Sequence, residues 1–397
     1  MTIPLPLAGM RILSVERHAA GPYGSMALAQ LGAEVIKIEP PQGGDTARAT
    51  GPFFLGQDDS LFFQTFNLNK RSFTLDLKAP EARDILHRLV ATADAVTNNC
   101  RGDQPAKLGL EYAALAPANA KIVCVHASAY GRGNERESWP GYDYLMQAEA
   151  GFLSLTGEPD APPTRFGLSM VDYMTGQMLA TTTLAGIIGA RATGIGRDYD
   201  LCLLDTALHQ TSYPATWHLN EGYETGRAPR SAHPTVTPSQ LFRTADGWIF
   251  VMAQLPKFWT RLVQAIGAPG LSTDPRFTTI PDRLRNRQAL VAILDDIFVT
   301  QPTRHWVDLL GGICPVSAVH NMEQAFSDPF ILSRGMVQTI PNEKHPEIKV
   351  LASPILVDGL RLAANPSPRL GGDTSALLAE IGFSEMEIAR FTEIGVV

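Results

Sequence analysis

The chain has 397 residues, 45% of them hydrophobic and 18% charged, with a formal net charge of −7. That balance allows two domains with buried cores and excludes a disordered chain. The negative charge disfavours non-specific nucleic-acid binding, although a local basic patch can still hold a phosphorylated ligand.

The N-terminal stretch MTIPLPLAGMRILSVE has no basic region and no long apolar core, so it does not read as a signal peptide. Arg11–Val15 reads as a buried strand. Gly21-Pro22 follows as a turn, and Tyr23–Leu31 reads as a helix ending at Gly32. Val35–Ile38 is the next strand. In Ser72–Leu77, Phe73, Leu75 and Leu77 alternate with polar residues, the pattern of a half-buried strand. Pro80 opens a helix with Ile85, Leu86, Leu89 and Val90 on one face. Ala95–Val96 and Ile122–Val125 are further strand cores. This alternation predicts an α/β fold with a largely parallel, Rossmann-like sheet.

Tyr144–Leu155 and Tyr173–Arg191 read as helices, and Tyr199–Leu203 as a short strand before another helix. The apolar stretch Met178–Ala190 is interrupted by Thr181–Thr183 and Gly186. It falls short of the roughly 20 residues a membrane span needs. Residues 222–236 are rich in Gly, Pro and Arg and read as a linker. Asp246-Gly247 between Gln240–Phe242 and Trp248–Met252 signals a hairpin. Helices follow to about residue 325, and Asp373–Phe383 reads as a last helix. The expected division is a large α/β domain at 1–205, a linker at 206–235, a smaller α+β domain at 236–325, and a return segment at 326–397 that rejoins the large domain.

The four cysteines, Cys100, Cys124, Cys202 and Cys314, are scattered with no CxxC pair. That argues against a metal knuckle or disulfide framework and suits buried thiols in a cytoplasmic protein. No GxxxxGK[ST], HExxH or GxSxG is present. Gly131-Arg-Gly133 and Gly194-Ile-Gly196 are fragments without the full dinucleotide pattern. Asp172 falls at the start of a long apolar helix. From the residues alone two readings stand. One is an acidic residue that compensates the helix dipole, worth about 0.3–1 kcal/mol. The other is a carboxylate kept ionised by that dipole, able to attack a thioester.

An ordered set of short motifs runs through the chain. It begins with Ala20-Gly-Pro-Tyr23, Leu31-Gly-Ala-Glu-Val-Ile-Lys-Ile-Glu39 and Gly44-Asp-Thr-Ala-Arg48. Asn69-Lys-Arg-Ser72, Leu75-Asp-Leu-Lys78 and Ala93-Asp-Ala-Val-Thr-Asn-Asn99 follow. Pro140-Gly-Tyr-Asp143, Gln147-Ala148, Thr156-Gly157, the segment Gly167–Gly176 and Thr244-Ala-Asp-Gly-Trp248 complete it. In order and spacing these motifs resemble the family III CoA-transferases, which include formyl-CoA transferases and alpha-methylacyl-CoA racemases. The resemblance covers nearly the whole chain.

The resemblance implies that Asp172 is the nucleophile, passing through an acyl anhydride and an aspartyl-CoA thioester without a tightly bound cofactor or metal. It implies CoA contacts by Asn99, Lys107, Leu75 and Lys78, with Arg48 near the pocket. It places His18 and Ala19 in a loop lining the thioester site, and Tyr130 and Tyr142 among the substrate-binding residues. Arg17, His18, Arg48 and Arg230 are candidates to pair with a second substrate carboxylate, which points to a small dicarboxylic acid. It further implies acyl-CoA and small carboxylic acids as ligands, no nucleic acid or membrane, and an interlocked homodimer.

The racemases carry histidine where this chain has Tyr142. Tyrosine, with a reference pKa near 10 against about 6.5 for histidine, is a poor base for exchanging an alpha proton. That tilts the reading toward CoA transfer. An acyl-CoA racemase or epimerase, and a non-catalytic CoA-binding subunit, are the alternatives. A glycine-only loop like that of formyl-CoA transferase is missing between Leu241 and Trp259, which disfavours oxalate as acceptor.

Overall fold

Adjacent residues on four central strands serve opposite faces of one sheet. Leu13, Ile36, Val96 and Cys124 enter one core, while Ile12, Val35, Ala95 and Val123 enter another. A sheet buried on both faces explains why its strands read as unbroken apolar runs rather than alternating ones. The computed structural model describes residues 4–397 apart from 343, 344 and 346.

The sheet consists of β1 (Arg11–Val15), β2 (Glu34–Glu39), β3 (Arg71–Thr74), β4 (Ala95–Asn98), β5 (Val123–Ser128) and β6 (Asp198–Cys202). All pairings are parallel, in the order β3-β2-β1-β4-β5-β6. This is the doubly wound arrangement expected of the large domain. The order reverses between β1 and β4, so the loops leaving them diverge and open a crevice at the carboxyl ends of the strands.

Helix α1 (Ala20–Gln30) follows β1, and α2 (Leu61–Asn67) precedes β3. Helix α3 (Ala82–Ala91) packs Ile85, Leu86, Leu89 and Val90 on the first core. Short α4 (Gln104–Leu108) follows β4. Helix α5 (Asp143–Glu149) ends before Gly151, whose φ of 87° breaks the single helix expected over Tyr144–Leu155; α6 (Phe152–Leu155) is separate. Helix α7 (Met170–Thr193) is longer than expected and covers the second core with Leu179 and Ile187.

The expected strand Ser72–Leu77 is shorter, because after Thr74 the chain turns, with Ala79 N–H bonded to Asp76 O. Helix α8 (Leu203–Gln210) is the helix expected after the short strand, and α9 (Ser212–Glu221) lies within the stretch expected as linker. Two C-terminal helices, α10 (Thr374–Glu380) and α11 (Glu385–Glu393), add Leu377, Leu378 and Phe391 to the first core. The second was not expected; Ser384 and Glu387 form the capping box that starts it.

Helices α1 and α7 cross backbone to backbone. A Cβ on Gly24 would stand 2.3 Å from Gly176 O, and one on Gly176 would stand 2.6 Å from Ala20 O. Only glycine permits this approach, and it sets Tyr23 beside Tyr173 with ring centroids 4.9 Å apart. The crossing lies near the N-terminus of both helices.

The chain divides into two compact units. The first holds the residues up to Ala150, Gly167–Ser212 and Leu332–Val397. The second holds Gly151–Phe166 and Tyr213–Ile331. The second unit contains an antiparallel sheet of β7 (Ser239–Arg243), β8 (Trp248–Met252) and β9 (Val316–Ala318), with β8 in the middle. The β7–β8 hairpin turns at Asp246-Gly247, as its sequence predicted. Phe242, Ile249, Trp259, Leu294, Phe298 and Trp306 lie in its core.

Candidate active site

Asp172 occupies the first turn of α7, and its backbone N–H donates to Asp143 Oδ2 at 2.9 Å. Asp143 is itself in the first turn of α5 and is 3% exposed. Its other oxygen accepts from Gln147 Nε2 at 2.5 Å, and Gln147 also donates to Leu168 O at 3.2 Å. Each carboxylate thus sits at a helix N-terminus, and Asp143 fixes the backbone that carries Asp172.

Burial, followed by the neighbouring charge of Asp143, pushes the Asp172 carboxyl from 3.8 up to about 7. The dipole was expected to keep this group ionised. Its contribution of about 0.3–1 kcal/mol is smaller than the roughly 4 kcal/mol that such a shift represents. Asp172 is therefore divided between acid and anion near neutral pH. It titrates where a small change in surroundings sets its charge.

The β1–α1 loop approaches the start of α5 through His18 and Tyr142. His18 adopts φ 65°, and its N–H donates to Asp45 at 3.1 Å. Its ring lies 5.4 Å from Phe62 and 6.4 Å from Tyr142 between centroids. Its Nδ1 is buried without a hydrogen-bond partner among the described residues. Asn99 clasps this loop from β4: its Oδ1 accepts from Arg17 N–H and its Nδ2 donates to Arg17 O, both at 2.7 Å. That clasp spans the switch point between β1 and β4. Ala19 is buried immediately before α1. The structure thus assembles His18, Ala19, Asn99 and Tyr142 around the starts of α1 and α5, with Asp172 tied to the latter through Asp143.

Beneath the loop lies a buried array of charges. Glu16 accepts from Ser14, Ser25 and Thr97 hydroxyls at 2.6–2.7 Å. Lys37 Nζ donates to Glu16 O and to Asp45 Oδ2, both at 2.8 Å. Burial alone would raise the Asp45 and Glu39 carboxyls, but Lys37 with the Ala47 and His18 N–H groups holds Asp45, and Arg48 with Lys37 holds Glu39, below the usual range. Lys70 donates to Pro22 O at 2.9 Å and Asn67 Oδ1 at 3.0 Å, and burial pushes it down to about 7. The array fixes the backbone from which α1 begins.

Other expected residues lie elsewhere. Arg48 is 1% exposed, forms a two-point pair with Glu39, stacks over Phe63 and donates to two backbone carbonyls. It is a structural cation rather than one free to meet a substrate carboxylate. The Leu75 side chain belongs to the first core rather than to an open surface. Lys78 is exposed. Lys107 is 64% exposed, pairs with Asp103 at 2.6 Å, and borders a pocket of about 360 Å³ between α3 and α4. Leu77, Arg83 and His87 also line this pocket, which brings the Lys78 segment beside Lys107. Tyr130 donates to Glu149 at 3.1 Å and underlies Gly141, next to Tyr142. Arg230, in the second unit, is held by Asp295 at 2.6 Å.

Sequence reasoning named Asp143 and Gln147 as landmarks but gave them no role. Their i, i+4 spacing at a helix start was the available signal. Lys37 and Lys70 also fall within landmark motifs, but nothing in the sequence shows that they are buried, since a strand or loop lysine reads as surface. Among the described residues no cluster of His, Cys, Asp or Glu is placed to hold a metal ion, and no helix is long and apolar enough to cross a membrane.

Residues 7–374 match the family described as CoA-transferase family III. The chain is 32% identical over 391 residues to a succinate–glutarate CoA-transferase of Agrobacterium fabrum, covering 95% of this chain and 96% of that protein. It is 30% identical to a human succinyl-CoA:glutarate CoA-transferase, with 99% and 90% covered. A solved CAIB/BAIF family protein from Brucella suis superposes with a TM-score of 0.82 at 30% identity, covering 96% of this chain and all of that one. With a matching fold, a carboxylate at a helix start and near full-length similarity, this chain belongs to CoA-transferase family III.

Proposed function

We propose that this enzyme transfers CoA between two small carboxylic acids, at least one of them dicarboxylic, with Asp172 as the covalent carrier. The observation that carries the reading is the Asp172 carboxyl itself. It is partly buried at the start of α7, anchored through Asp143, and poised at about 7. A group titrating there supplies an anion near neutral pH that is poorly solvated and hence nucleophilic.

An Asp172 oxygen attacks the donor thioester carbonyl, and the C–S bond breaks. This yields a mixed anhydride and CoA thiolate. The thiolate then attacks the Asp172 acyl carbon, releasing the donor acid as carboxylate and leaving aspartyl-CoA. The acceptor carboxylate repeats the sequence in reverse, regenerating free Asp172. Each step exchanges one leaving group for one nucleophile, and no net proton is consumed. The positive end of the α7 dipole favours the oxyanion charge that develops beside Asp172.

Within this reading the acyl-CoA chain lies at the β1–β4 switch point, bordered by the His18–Ala19 loop and by Asn99. The phosphate end reaches toward Lys78 and Lys107. The His18 ring, with its unpartnered Nδ1 between Phe62 and Tyr142, is placed to receive a distal carboxylate. The two relatives named for succinate and glutarate support a dicarboxylate. A homodimer belongs to the same reading, and sedimentation of the purified chain tests it.

The test is a transfer assay with succinyl-CoA as donor and a panel of mono- and dicarboxylic acceptors. Preferential turnover of C4 to C6 dicarboxylates supports the reading. Deuterium exchange alpha to the thioester without CoA transfer would overturn it in favour of a racemase.

A further inference from the structure

Three adjacent strands of the sheet carry a buried polar chain that the transfer chemistry does not use. His126, on β5, is 1% exposed and faces Asn98 of β4 in register. Asn98 Nδ2 meets His126 Nδ1 at 2.8 Å, and His126 Nε2 meets Asp198 Oδ1 at 2.8 Å. An amide nitrogen can only donate, so Nδ1 must accept. The ring proton then lies on Nε2 and is given to Asp198.

Asp198 is a fixed acceptor. Burial would raise its carboxyl, but bonds from His126 and from the Tyr112 N–H hold it below the usual range. Asn98 is fully buried, and its Oδ1 accepts from the Cys100 N–H at 3.4 Å. The chain therefore ends on the Asn98–Cys100 segment, whose middle residue, Asn99, clasps Arg17 across the switch point.

We propose that His126 is a positioning residue for the CoA site: with its tautomer set by Asp198, it orients Asn98 and thereby the loop that presents Asn99. A sheet needs no polar chain at this place, since the same face holds Val96 and Cys124 just below it. What the chain adds is direction. It decides which way the Asn98 amide points, and so where the backbone leaves β4. The proposal rests on the reading of the switch point as the CoA site.

The experiment compares Asn98→Leu, His126→Phe and Asn99→Ala in the full-length enzyme, measuring kcat, KM for succinyl-CoA, KM for the acceptor acid and the dissociation constant of free CoA. A rise of about tenfold in KM for succinyl-CoA and in the CoA dissociation constant is expected for Asn98→Leu and His126→Phe, with kcat within about twofold. The acceptor KM should not move. A merely structural role would lower the active fraction, and so kcat, with KM unchanged; that result overturns the proposal. If Asn99→Ala weakens CoA but the other two do not, the proposal fails while the CoA reading stands. If Asn99→Ala has no effect, the CoA reading fails and the proposal with it. Should the buried variants not fold, ¹⁵N-histidine NMR of the wild-type enzyme decides. A His126 ring protonated at Nε2 and bare at Nδ1 is expected, and a proton on Nδ1 overturns the proposal.

Discussion

Asp143 accepts the backbone N–H of Asp172 at 2.9 Å, so the residue that anchors the start of α7 is also the charge that opposes ionisation of the Asp172 carboxyl. Orientation and pKa are coupled through one side chain. The two functions can be separated by substitution.

Asp143→Asn keeps an acceptor for the Asp172 N–H and removes the charge. The Asp172 carboxyl, pushed up to about 7 by burial and by Asp143, should titrate lower, so the midpoint of the acidic limb of kcat/KM against pH should fall below that of the wild type. Asp143→Ala loses the acceptor as well, and kcat should drop about 10–100-fold through misorientation. A pH–rate profile of both variants checks this. An unmoved acidic limb in Asp143→Asn would show that Asp143 does not act on Asp172 charge.

Asp172 itself makes stability depend on pH. Between 3.8 and about 7 the folded chain holds a proton that the unfolded chain has lost, so stability falls as pH rises through that window. Asp172→Asn removes the penalty. The variant should match the wild type near pH 4 and exceed it above pH 7 by up to about 4 kcal/mol. Urea unfolding across that pH range measures the difference.

Lys70 has the opposite dependence. Burial lowers its pKa from 10.5 to about 7, so the unfolded chain binds the extra proton between those values. Its contribution to stability therefore improves as pH rises from 7 toward 10.5 and is least favourable below 7. The stability of wild type relative to Lys70→Met should rise over that range, as read by thermal unfolding at matched ionic strength.

Gly176→Ala places a Cβ 2.6 Å from Ala20 O and must spread α1 from α7. A loss of about 1–3 kcal/mol is expected, with reduced kcat because Asp172 shares the displaced turn. Gly189→Ala on the same helix meets nothing nearer than the Tyr199 hydroxyl at 4.0 Å. It should be neutral or stabilising by roughly 0.5–1 kcal/mol. Thermal midpoints and kcat for the two variants make the comparison.

Much of the scaffold was legible because its physics is local. Arg11–Val15 and the α3 stripe are apolar patterns that only one environment satisfies. The start of α7 was legible to within three residues of Tyr173. The break at Gly151 was not, because glycine inside an apolar run signals a left-handed turn only once its φ is known. Nor could local pattern show that Arg48 pairs with Glu39, or that Lys37 meets Asp45. Those partners are joined by the strand β2 and the turn after it, which bury charges that resemble surface residues in sequence. Asp143 is 29 positions from Asp172, and only the packing of α5 on α7 brings them together.

In the proposed mechanism Asp172 carries CoA covalently. Incubation with succinyl-CoA, acid quench, proteolysis and mass spectrometry of the peptide containing Asp172 tests it most directly. The expected result is a CoA-bearing peptide that forms within one turnover, disappears on addition of acceptor acid, and is absent from Asp172→Asn. Full transfer activity in Asp172→Asn, or turnover by wild type with no adduct on that peptide under any quench, would contradict it.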